Sequence, residues 1–123
     1  MARTALDLTA EERWTDRPGR ELDQKQVVER WGQAWEVARA AARLLREKFW
    51  AGRIVVFGSL AHRAWFTPWS DVDLAAWGIP ADQFYQAVAA VTAITSDLEV
   101  DLVDPEGCRP KLRQAIEREG IDL

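Results

Sequence analysis

Residues Phe57 to Leu74 read FGSLAHRAWFTPWSDVDL. An apolar run stops on Gly58-Ser59, and after eleven intervening residues two aspartates, Asp71 and Asp73, stand inside a second apolar run. Aspartate is a poor strand former, so two of them in one strand need a reason. Strand side chains alternate, so Asp71 and Asp73 leave one face while Val72 and Leu74 leave the other. In SDLEVDLVD, residues 96–104, the same parity sets Glu99, Asp101 and Val103 opposite Leu98, Val100 and Leu102. Asp101 can therefore join the pair from a neighbouring strand, and three carboxylates share a patch. Two like charges about 5 Å apart at an effective dielectric of about 20 repel by about 3 kcal/mol. A divalent cation removes that repulsion. Hard oxygen ligands suit Mg²⁺, which takes a few carboxylates together with waters and phosphate oxygens.

Working outward, Ile54-Val55-Val56-Phe57 is β-branched and continuous, the pattern of a strand buried on both faces. Asp71 to Trp77 reads as a second strand and Leu98 to Val103 as a third. Between them Phe84, Ala87, Val88, Val91 and Ile94 mark a helical stripe, and Leu112, Ala115 and Ile116 line a last helix ending near Gly120. Upstream, Asp23 is placed to cap Gln26, with Leu22 stapling Val27. From there Val27, Trp31, Ala34, Trp35, Ala38, Ala42, Leu45 and Phe49 recur at helical steps, predicting one long helix over 23–51 with Gly52 as its C-cap. Residues 1–20, with a capping box at Thr9-Ala10-Glu11-Glu12 and a turn at Pro18-Gly19, read as an N-terminal arm, and 21–123 as one domain with its core in 53–123. The predicted order is α-β-α-β-α-β-α, an α+β fold with a small mixed sheet of three or four strands flanked by helices.

The Gly58-Ser59 step complements the acids. Glycine lets backbone approach a ligand closely, the serine hydroxyl donates, and the start of a following helix offers free amides, so Gly58 and Ser59 are candidate phosphate-binding residues. The plainer alternative is that Gly58 ends a strand and Ser59 caps the next helix.

Taken in order, Phe57-Gly58-Ser59, Asp71-Val72-Asp73-Leu74 and Val100-Asp101-Leu102 resemble the motif set of the DNA polymerase β-like nucleotidyltransferases: hydrophobic-Gly-Gly/Ser, acid-hydrophobic-acid-hydrophobic, then hydrophobic-acid-hydrophobic. More closely, FGSLAHRAWFTPWSDVDLAAWG and the ending LRQAIEREGIDL are similar to the minimal nucleotidyltransferases, antitoxin partners of HEPN-domain toxins. Many of those read Ala-Arg-Gly after the Gly-Ser step, where this chain has Ala61-His62-Arg63. The resemblance spans roughly Arg53 to Leu123 and implies the nucleotidyltransferase fold, ATP as substrate and two Mg²⁺ ions, replaceable by Mn²⁺, held by Asp71, Asp73 and Asp101. It assigns Gly58 and Ser59 to the leaving phosphates, and it favours Asp101 over Glu99 on their shared face. The implied reaction moves AMP to a hydroxyl, with a tyrosine of a HEPN-type toxin from the adjacent gene as acceptor. Two alternatives stand beside it: transfer to a small molecule such as an aminoglycoside, and a non-catalytic antitoxin that neutralises its partner by binding.

Composition narrows the rest. A chain of 123 residues, 48% hydrophobic with a net charge of −4 and no Lys/Arg block, disfavours nucleic acid. The single cysteine, Cys108, suits a reducing compartment, and no apolar run reaches the length of a membrane span. A cytoplasmic protein without a membrane anchor is the expectation. His62, the sole histidine, is a packed or surface residue in preference to a general base. Trp65 and Trp69, in the loop before the acids, are the tryptophans placed to touch a ligand. Trp31 and Trp35 lie on the long helical stripe, which predicts self-association or partner docking through that helix; the plainer alternative is a helix packed on the sheet with both tryptophans in the core.

Overall fold

The structure is a computed structural model that describes residues 20–123, with side chains from Gln24 onward. The expected arm over 1–20 and its capping box therefore lie outside the described residues, apart from Arg20. The described part contains helix α1 (Arg20–Lys48), strands β1 (Arg53–Phe57) and β2 (Val72–Trp77), helix α2 (Phe84–Thr92), strand β3 (Val100–Val103), helix α3 (Pro110–Glu119) and strand β4 (Ile121–Asp122).

The strands form one four-stranded mixed sheet in the order β3-β2-β1-β4. β1 is antiparallel to both β2 and β4, while β2 and β3 run parallel, joined through α2. Parity divides the sheet into two faces. Ile54, Val56, Val72, Leu74, Val100 and Leu102 pack with the α1 residues Ala34, Ala38 and Leu45 and with Ala87 and Val91 of α2. On the other face Val55, Phe57 and Ala75 pack against Ile116 and Leu112 of α3. The mixed α+β architecture with a long N-terminal helix is the expected one.

The α1 stripe behaves as its spacing predicts: Val27, Ala34, Ala38, Ala42 and Leu45 are buried, and Trp31, Trp35 and Phe49 lie half-buried against them. Trp31 meets Trp35 edge-on at 5.8 Å and Phe66 at 6.4 Å, with the Arg63 guanidinium over its ring. Both indoles thus belong to the margin of the core, while Val28, one turn from Trp31, is 59% exposed.

Several boundaries differ from the sequence expectation. Asp23 lies inside α1 and does not cap it, since the helix already runs at Arg20. A cap needs non-helical backbone, and Arg20-Glu21-Leu22 contains only good helix formers. At the other end Gly52 is not the cap. Trp50, at φ 62°, takes the left-handed turn, and the Leu45 carbonyl accepts from both Phe49 N–H and Ala51 N–H. β2 begins at Val72 and β3 at Val100, each later than expected.

The helix expected after Gly58-Ser59 is replaced by two short 3-10 turns, Gly58–Ala61 and Arg63–Trp65, separated by extended backbone at His62. Leu60 and Phe66 are both buried. Six residues along one helix would set them about 120° apart, so the chain breaks at His62 to turn both inward. Pro68 then holds Thr67 out of helical conformation.

The last strand, β4, was not anticipated in residues read only as a helix end. Gly120 makes it possible: a Cβ there would collide with Val55 Cγ1 and the Ile116 carbonyl oxygen, so only glycine lets the chain leave α3 flat against β1. Arg53 then ties the edge, donating to Asp122 at 2.9 Å and Glu117 at 3.1 Å.

Candidate active site

Parity pushes the acids out because their neighbours are pinned in. Val72 and Leu74 are fully buried and Val100 nearly so, which turns Asp73 and Asp101 to the α3 face. α3 packs chiefly over β1 and the Gly58–Ala61 turn, leaving the β2–β3 part of that face open at its acidic end. There Asp73 of β2 and Asp101 of β3 are direct register partners. Asp71 precedes β2 by one residue, and Glu99 precedes β3 with its carbonyl accepting from Val72 N–H at 2.9 Å. Ligand oxygens of Asp71, Glu99 and Asp101 lie within 4.8 Å of one another.

Asp73 sits deeper, on the side of Gly58. It pairs in register with Phe57, and Gly58 adopts φ +71°, where a Cβ would stand 2.5 Å from Asp73 Oδ2. Glycine at 58 is thus required twice over, by its backbone conformation and by the carboxylate against it. Gly58 and Asp73, two of the candidate site residues, thus lie against each other. Ser59 follows within the first 3-10 turn and is half-buried.

The electrostatics follow the crowding. Burial, reinforced by Asp101, Asp71 and Glu99, pushes the Asp73 carboxyl up to about 6. Asp71 is raised too, by burial and then by Asp101, with the Arg30 guanidinium opposing the shift. Such a set is poised for a divalent cation. All its donors are hard carboxylate oxygens, and the like charges outnumber the one basic side chain that reaches them, Arg30.

Glu99 is the residue that sequence reasoning set aside. Its signal was present in the parity it shares with Asp101, but the motif pointed past it. The loop that delivers Asp71 is held locally: Thr67 N–H donates to Ser70 Oγ at 2.9 Å, Ser70 N–H to the Thr67 carbonyl at 3.1 Å, and Thr67 and Ser70 are buried. Trp65, 47% exposed, stacks on His62 at 3.9 Å. The imidazole Nε2 of His62 lies 3.8 Å from Glu119, so the histidine packs toward α3.

A scan against protein-family models finds no match, and a search of curated proteins finds none either. Solved structures do match. One named as a minimal nucleotidyltransferase is 28% identical with a TM-score of 0.59, over 76% of this chain and 95% of that one. This chain has the minimal-nucleotidyltransferase fold. A toxin–antitoxin structure with AMP-PNP is 24% identical, TM-score 0.55, covering 66% of this chain and 67% of that one. The MntA-HepT toxin–antitoxin structure is 21% identical, TM-score 0.53, over 72% of this chain and 69% of that one. In the minimal-nucleotidyltransferase fold found here, the carboxylates and Gly58 gather at the open end of β1, β2 and β3. Among the described residues no helix is long and apolar enough to cross a membrane.

Proposed function

We propose that this protein is a metal-dependent nucleotidyltransferase that moves AMP from ATP to a hydroxyl of a partner toxin, acting as its antitoxin. The observation that carries the proposal is the convergence of Asp71, Glu99 and Asp101, with Asp73 set behind them against a Gly58 that has no room for a side chain. The likeness to toxin–antitoxin structures, one of them with AMP-PNP, supports the choice of nucleotide and partner class. A tyrosine of a HEPN-type toxin is the proposed acceptor.

In this reading Asp71, Asp73 and Asp101 hold the divalent ions, and Glu99 adds a carboxylate on the exposed side. Bound Mg²⁺ would neutralise phosphate charge and acidify the acceptor hydroxyl. Gly58 lets the backbone approach the leaving phosphates, and Ser59 donates to them. Positioning and charge neutralisation supply most of the acceleration, so His62, turned toward Glu119, has no part in proton transfer. The partner docks along α1, where Val28 extends the apolar margin of Trp31 and Trp35.

Incubation with labelled ATP, Mg²⁺ and the adjacent-gene product, followed by mass spectrometry, tests reaction and acceptor together. AMP is expected on a partner tyrosine. Tight association with no label on the partner would replace this reading with that of a binding antitoxin. Linkage adds a simpler expectation: Mg²⁺ or Mn²⁺ raises the melting temperature, and ATP raises it further. Each kcal/mol of binding is worth about 4 °C in a chain of this size. A flat melting series up to millimolar metal would oppose the metal site.

A further inference from the structure

Asp73 and Asp101 stand inside paired strands, but Asp71 and Glu99 each lie just before one. Asp71 follows the Thr67–Ser70 turn, outside β2. Glu99 ends a seven-residue stretch between α2 and β3 that has neither helix nor strand. One side chain bridges these segments. Arg30, half-buried on α1, donates from Nη2 and Nε to the Ser70 carbonyl at 3.2 and 3.4 Å, and from Nη1 to the Asp97 carbonyl at 3.3 Å. Ser70 immediately precedes Asp71, and Asp97 lies two residues before Glu99. A groove of about 530 Å³ opens beside this bridge, lined by Arg30, Asp71, Thr95, Ser96 and Glu99.

We propose that Arg30 is a positioning residue for the metal-binding carboxylates: its forked guanidinium fixes the spacing of the two segments that present Asp71 and Glu99. The inference rests on the metal-binding reading above and deepens it. The fork explains the choice of residue. Guanidinium is planar and offers five N–H donors, so it spans two carbonyls at once, whereas the lysine ammonium is a point charge on a flexible stem. The carbonyls, not the carboxylates, receive the hydrogen bonds. The acids therefore keep their oxygens for the ion while their backbones are held. Arg30 stands on a 29-residue helix whose apolar stripe is anchored in the core, so the clamp has a rigid base.

Charge and clamp make opposite predictions, which allows a decisive test. A cation near the cluster repels a metal ion. If Arg30 acted only through its charge, Arg30→Gln would tighten metal binding and Arg30→Lys would leave it unchanged. If Arg30 positions the acids, both variants weaken it. The experiment is Mn²⁺ titration of the full chain by electron paramagnetic resonance, with the two variants beside wild type. Hydrogen–deuterium exchange of the metal-free proteins reports the segments directly.

The expected result is an affinity about 10-fold lower or more in both variants, the scale of lost support to metal ligands. Faster exchange is expected at 70–72 and 97–100 but not in β1 or α3. Tighter binding in Arg30→Gln, or unchanged binding in both variants, overturns the inference while leaving the metal site standing. Exchange that accelerates throughout the sheet would reduce Arg30 to a general fold contact and also overturn it. Absence of Mn²⁺ binding by wild type would remove the metal reading and this inference together.

Discussion

Asp73→Asn is expected to abolish nucleotidyl transfer while making the metal-free protein more stable than wild type. Transfer falls because the variant loses a ligand oxygen and its charge. Several kcal/mol of transition-state stabilisation depend on the metal, and about 4 kcal/mol corresponds to about 10³-fold in rate. Stability moves the other way because the wild-type carboxylate is held, without an ion, among Asp101, Asp71 and Glu99. Its folded pKa of about 6 exceeds the ordinary aspartate value of 3.8, so between those values the native state binds more protons than the unfolded one. Stability therefore rises as pH falls through about 6 toward 4, and the penalty is fully present above 6. After discounting for partial solvent screening, the gain in Asp73→Asn at pH 7 is on the order of 1–2 kcal/mol. Chemical denaturation at pH 7 and pH 5, with and without Mn²⁺, checks this. The variant should have a shallower pH slope, with Asp71 supplying what remains. Wild-type turnover by Asp73→Asn would remove the mechanism.

Gly58→Ala carries the second large effect and tests the other half of the site. A left-handed conformation costs an L-residue about 1–2 kcal/mol. The new Cβ would also lie 2.5 Å from Asp73 Oδ2, so the carboxylate must turn away. Activity is expected to fall about 100-fold, with a melting temperature several degrees lower. The two causes separate in a double-mutant cycle. In an Asp73→Ala background the colliding oxygen is gone, so Gly58→Ala should then cost only the backbone part. Additive stability losses would show that residue 58 and Asp73 do not press on each other.

How much of this was legible beforehand depended on whether a feature was local. The strand cores at Ile54–Phe57 and Val72–Trp77, the α1 stripe and the stripe of α2 follow from periodicity, because burial of those side chains is what makes the elements. The shared face of Asp73 and Asp101 follows from strand parity. Long-range geometry was not legible. β4 depends on Gly120 fitting under Val55, a contact between residues far apart in the chain. The break at His62 depends on where the core needs Leu60 and Phe66. Glu99 had the right parity but no motif, and its approach to Asp71 comes from two irregular segments meeting. Arg30 belongs to no motif, and only the packing of α1 against both segments gives it partners.

In the proposed reading, the continuity of α1 would couple partner docking to metal binding. Arg30 and Trp31 are consecutive on one stiff rod, so a protein that grips the Val28–Trp35 side and displaces the helix also displaces the guanidinium that holds Ser70 and Asp97. Thermodynamic reciprocity then applies: the factor by which that grip changes cation affinity is the factor by which the cation changes the grip. Divalent metal would act in this way as an effector of complex formation as well as a cofactor, and the lifetime of the complex would report the local ion concentration.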